Sequence, residues 1–244
     1  AGKHLSTPLV ADADLGLANV EVLMGLNSFH NLQHVIDGEK TVMDILVKGP
    51  GGIEIVPGTS GLAKLADLGP PARQNILDGL KELQEQVDYI IIDTMAGIGQ
   101  NAISFCAAAD EVLVVTTPEP SSIVDAYALI KSVYTIRNDA VFRLVINMVA
   151  NHQQALAVTT NLSRVAQRYL TAELSMLGYI VRDPHVSQGV MQTQPFALKF
   201  PHAPATKCIQ NLAHRVVEQE THAVEAPARA GFFRRFAQSL GVSA

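Results

Sequence analysis

Short unbroken apolar runs alternate with longer stretches of helical spacing along most of the chain. The runs are Leu9 to Ala11, Ile53 to Val56, Tyr89 to Ile92, Val112 to Thr116 and Leu144 to Ile146, with Tyr179 to Val181 as a shorter one. They are continuous rather than alternating, so they read as parallel strands buried on both faces. Between them, Pro71 to Gln86 sets Ile76, Leu77, Leu80 and Leu83 on one side and Lys81, Glu82 and Glu85 on the other, as an amphipathic helix does. Ser121 to Arg137 opens on a serine pair suited to a helix N-cap and repeats Val124, Ala128 and Val133. Thr159 to Leu177 is a further long amphipathic candidate. Strands alternating with helices predict an α/β domain, a mainly parallel sheet with helices on both faces, over residues 1–220. Ligands of such sheets sit beyond the carboxyl ends of the strands, so candidate chemistry is sought there.

The pattern changes near the C-terminus. Residues 221–231, THAVEAPARAG, have little to bury and read as a linker. Residues 232–244 then begin FFRRFAQSLG. Wound as a helix, this segment gathers Phe232, Phe233, Phe236 and Leu240 into an arc of about 100°, with Arg234, Arg235 and Gln238 outside it. Aromatics beside arginines suit a helix lying in the surface of an anionic membrane; a helix packed on its own domain is the competing reading.

Composition narrows the classes. Apolar residues are 48% of the 244, enough for a sizeable core. The net charge of -5 supplies no overall basic field, so direct nucleic-acid binding is not expected. The two cysteines, Cys106 and Cys208, lack metal or redox spacing and fit a reducing cytoplasm as small hydrophobes. No run reaches the length of a membrane-spanning helix, and no histidine pair has the spacing of a zinc protease.

Chemistry concentrates at two strand ends. DADLGLANVEVLMGL, Asp12 to Leu26, follows the run LVA. Carboxylates at Asp12 and Asp14 leave a strand end on the same side, which suits a magnesium shell and an attacking water; Gly16 permits a sharp turn. VDYIIIDTMAGIG, Val87 to Gly99, ends its strand in Asp93, an acid placed to face water and metal, and Gly97 lets the next loop approach a phosphate. Taken singly, each motif could be a solvated turn. Asn147 after LVI and Asp183 after GYIVR are weaker: an amide can match an adenine edge, and both residues also serve ordinary turns.

The first string resembles the switch I region of MinD/ParA-type ATPases. The second, about 80 residues on, resembles their switch II. GGIEIVPGTSG and GYIVRDPHVSQGVMQTQPF add to the likeness, which extends from Leu9 to Val217. The form LGLAN is nearer the flagellar-number-regulator group (FlhG/FleN-like) than the division-site group. The resemblance implies a P-loop NTPase fold using ATP and Mg2+. Asp12 and Asp14 would serve the attacking water, Asp12 and Asp93 the metal, and Asn147, Asp183 and Gly97 the nucleotide. It also implies an ATP-bound homodimer, cytoplasmic and peripheral on the inner face of the cell membrane, with a membrane-targeting tail. The partners it implies are the signal-recognition-type GTPase of the flagellar pole, flagellar switch components and a flagellar transcription activator.

One family element has no counterpart in these residues. The Gly-rich loop with two lysines, its preceding strand and most of the first helix would lie upstream of the eleven residues before Asp12. In AGKHLST, Lys3 is followed by His4, without a Gly-rich run. The expectation is therefore a polypeptide of this fold that does not itself hydrolyse ATP. The alternatives are a non-catalytic adaptor for membrane and partner, and a division-site or partitioning relative.

Overall fold

The computed structural model describes residues 8–12, 19–57, 70–222 and 231–239. Its ladders form two sheets, and the chain falls into two compact units: residues 1–96 together with 231–244, and residues 97–230. The C-terminal helix falls in the first unit.

The first unit contains β1 (Pro8–Asp12), α1 (Asn19–Leu23), α2 (Leu32–Ile36), β2 (Val47–Lys48), β3 (Glu54–Val56), α3 (Pro70–Gln86) and β4 (Tyr89–Asp93). Its sheet has the order β2-β3-β1-β4, parallel except for the β2–β3 pair. The stripe read on α3 is the face it buries: Ile76, Leu80 and Leu83 are buried, while Lys81, Glu82 and Glu85 are exposed. Leu9, Ile55 and Val56 of the sheet and Leu32 and Val35 of α2 are also core residues. Each such side chain contributes about 1.5–3 kcal/mol when fully buried.

The second unit contains α4 (Gln100–Ala108), β5 (Glu111–Thr116), α5 (Pro120–Ile136), β6 (Val141–Val149), α6 (His152–Leu170), β7 (Leu174–Val181), α7 (Pro184–Met191), α8 (Phe196–Lys199) and α9 (Pro204–His222). Its sheet, β5-β6-β7, is wholly parallel. Val112, Val114, Phe142, Leu144 and Ile146 join Ile130 and Val133 of α5 and Val158 and Leu162 of α6 in one core. Across β7, Gly178 lies under Leu212 of α9, and Arg215 donates to the Leu177 carbonyl. α9 thus lies over β7, but β5 is not buried on both faces as its unbroken apolar run predicts: Leu113 and Val115 on one face are 47% and 58% exposed.

Two elements differ from expectation. The helix expected over Thr159 to Leu177 runs His152–Leu170. Asn151 caps it by accepting from Gln154 N at 3.0 Å, and Thr171 ends it with a left-handed φ of 54°. Leu174 onward then belongs to β7, because a short apolar run does not by itself distinguish helix from strand. The serine pair does not cap α5: Glu119 is the N-cap residue, and Ser122 bonds back to the loop before it.

α10 (Phe232–Ser239) follows the second unit in sequence and packs on α3 of the first.

Candidate functional site

The carboxyl edge of the first sheet brings two of the expected residues together. β1 and β4 pair in parallel from Pro8↔Tyr89 to Asp12↔Asp93, so both strands end in register on an aspartate. Neighbouring strands lie about 4.8 Å apart, which places the two backbones side by side at the edge where ligands bind. Asp93 is exposed. Asp14 lies outside the described residues. After Asp93 the chain turns through Gly97, whose φ of 99° is a conformation that side-chain-bearing residues avoid.

The carboxyl edge of the second sheet holds an open cleft of about 540 Å³. One wall is the loop Thr117, Pro118, Glu119 and Pro120; the other is Met148, Val149 and Ala150 with Gln154 and Arg182. Both walls are hydrogen-bonded. Ser122 Oγ accepts from Thr117 N at 3.0 Å and lies 3.0 Å from Thr116 Oγ1. Gln154 Oε1 accepts from Ala150 N at 2.8 Å, and Arg182 N donates to the Val149 carbonyl at 2.9 Å. Sequence reading did not single out Glu119, Gln154 or Arg182. The proline-spaced turn TTPEP directly after β5 was the available signal for the first wall.

Asn147 and Asp183 occupy local roles in this structure. Asn147 Oδ1 accepts from Met148 N at 2.8 Å, where Met148 has a φ of 56° and the β6–β7 register shifts. Its side chain braces this irregular strand end and is not among the cleft's lining residues. Asp183 is 8% exposed and has both oxygens engaged. Oδ1 accepts from His185 N at 3.0 Å with the His185 Nδ1 at 2.7 Å, and Oδ2 accepts from Ala205 N at 3.0 Å. The carboxylate thus caps α7 and holds the first turn of α9. The Ala205 amide, then His185, hold its pKa below the usual 3.8 despite burial.

The tail residues are helical as expected, but two of them are not free to meet a membrane in this arrangement. Phe232 and Phe236 are buried in the first unit, their rings stacked with centroids 5.9 Å apart. Arg235 is half-buried, and Leu240 lies outside the described residues. Among the described residues no helix is long and apolar enough to cross a membrane.

The donor chemistry fits the nucleotide and metal implied above. Magnesium takes oxygen donors, keeps several waters and needs only one or two protein carboxylates; Asp93 presents an exposed one at this edge. No cluster of three or more metal-ligating residues exists among the described residues. The cleft lies within the usual size range of small-molecule sites and carries polar groups on an otherwise apolar lining.

The chain is similar to several known proteins. The ParA family model (NUBPL iron-transfer P-loop NTPase) matches residues 69–217. The antiactivator FleN of Pseudomonas aeruginosa is 36% identical over 208 residues, covering 85% of this chain and 74% of that protein. The flagellum site-determining protein YlxH of Helicobacter pylori is 34% identical over 237 residues, covering 95% and 80%. The septum site-determining protein MinD of Pyrococcus horikoshii OT3, solved with Mg-ADP, superposes with a TM-score of 0.66 at 19% identity, covering 91% of this chain and 87% of that one. At that identity the last likeness speaks for the fold alone. With two flagellar relatives above 30% identity over most of their length, the chain belongs to the MinD/ParA family of P-loop ATPases, in its flagellar-number-regulator group.

Proposed function

We propose that the protein is an ATP-switched, membrane-associating regulator of flagellar number and placement. The observation that carries the reading is the Asp12↔Asp93 register at the carboxyl edge of the first sheet. Asp12 and Asp93 hold magnesium there, and Asp14 orients the attacking water. ATP closes a homodimer and hydrolysis opens it. The protein acts in the cytoplasm and at the inner face of the cell membrane. Its partners are a flagellar signal-recognition-type GTPase, flagellar switch components or a transcription activator.

Membrane association acquires a condition. Phe232 and Phe236 are buried in the first unit, so the helix must leave α3 before its apolar arc meets lipid. A nucleotide-driven change that lowers the affinity of α10 for α3 would couple the two events.

The test is ATP turnover and lipid binding. Adding the family's Gly-rich, two-lysine segment ahead of Ala1 should give slow hydrolysis that Asp14→Ala and Asp93→Asn remove. Turnover untouched by either substitution sinks the magnesium assignment. In liposome co-sedimentation of the loop-restored protein, ATP should increase the bound fraction and Phe233→Glu should abolish it. Equal sedimentation of a chain ending at Pro227 would show that the tail is not the membrane contact.

A further inference from the structure

The segment after Asp183 has no part in the nucleotide reading. From Pro184 to Val217 there is no Asp or Glu: all 23 acidic residues of the chain lie elsewhere. The same stretch holds Lys199, Lys207 and Arg215, with histidines at 185, 202 and 214. In a chain of net charge -5, this is a local reversal of sign.

The fold makes this segment one braced surface within the second unit. α7 and α8 form a hairpin whose turn is closed by bonds from Gln192 N and Gln194 N to the Gly189 carbonyl, both 3.1 Å. A Cβ on Gly189 would come within 2.7 Å of Phe196 Cβ, so the two helices touch along their backbones. Thr206 Oγ1 donates to the Phe200 carbonyl at 2.8 Å and ties α9 to the end of α8. His185 packs 4.7 Å from the Phe200 ring. On this scaffold Met191 is 76% exposed, Leu198 55% and Val190 52%. Lys199, His202 and Lys207 are exposed beside them in the chain. A braced hairpin loses little entropy on binding and gains nothing internally by showing three apolar side chains to water.

We propose that the α7–α8 hairpin with the first turn of α9 docks an acidic amphipathic segment of a protein partner. Met191 and Leu198 are the apolar anchors; methionine adapts to a partner's shape more readily than a branched side chain. Lys199 and Lys207 meet the partner's carboxylates. The occupant follows from charge complementarity and range. A short acidic segment feels chiefly charges within a Debye length of about 8 Å, and every charged side chain between Pro184 and Val217 is basic.

Fluorescence anisotropy of a labelled Glu/Leu peptide written with helical spacing tests the proposal, against a scrambled peptide of the same composition. The patterned peptide should bind the full chain about tenfold more tightly than the scrambled one, and more weakly as NaCl is raised. Met191→Ser combined with Leu198→Ser should weaken binding about tenfold. Lys199→Glu combined with Lys207→Glu should weaken it similarly and flatten the salt dependence. All four side chains are exposed, so thermal midpoints should stay unchanged. Equal binding of the two peptides, or indifference to the lysine pair, overturns the proposal. So does binding to phosphatidylglycerol vesicles that these substitutions abolish while the peptide does not bind, because the surface would then be lipid-facing.

Discussion

The carboxyl ends of β4 and β7 each carry an aspartate, and the two have opposite fates. Asp93 closes β4, is exposed, and stands in register with Asp12. Asp183 follows β7 and is buried, with Oδ1 engaged by His185 and Oδ2 by the Ala205 amide. What a carboxylate does at a strand end depends on what packs around it. Where two helix starts converge on it, it becomes part of the frame.

The largest test of that contrast is Asp183→Ala. It removes the acceptor of two backbone N–H groups and uncaps α7, at a cost of about 3 kcal/mol, read in a denaturant titration that follows the second unit. A change below about 0.5 kcal/mol would mean that the bracket does not hold α7 and α9 together. The same bond set gives a pH dependence. The folded pKa of Asp183 is held below its ordinary 3.8, so its contribution is fully present above that value. It is lost as pH falls through the folded pKa. Stability measured downward from neutral pH should therefore drop more steeply below about pH 4 in the wild type than in Asp183→Asn.

Next comes Gly189→Ala. The new methyl group meets Phe196 Cβ and the Gln194 carbonyl inside ordinary contact distance, so the hairpin must open. A loss of about 2 kcal/mol is expected, with faster amide exchange confined to α7 and α8. The smallest effect belongs to the other strand end. Asp93→Asn should change stability by no more than about 0.5 kcal/mol, as an exposed substitution does, while removing magnesium-dependent nucleotide effects. A stability loss matching that of Asp183→Ala would erase the distinction between the two ends.

Much of the framework was legible from local pattern. The α3 stripe, the apolar runs of β1, β4 and β5, and the positions of Asp12 and Asp93 at their ends all appear in the structure. The cleft was less legible. Its walls come from three separated segments, and only the proline turn after β5 carried a local signal. Ser122 shows the same limit: its place suited a cap, yet its hydroxyl holds the Thr117 amide.

By itself the sequence determined which faces are apolar, where strands end and which acids lie at those ends, because periodicity and turn chemistry act over a few neighbouring residues. Tertiary structure decided whether each of those groups is spent. Asp183 is occupied by an amide 22 residues away, and Phe232 and Phe236 are covered by a unit whose helix α3 lies far upstream. The segregated arcs of the tail dictate that its apolar side will be buried. Whether protein or lipid covers it depends on the relative free energy of two surfaces, and no local pattern encodes that difference.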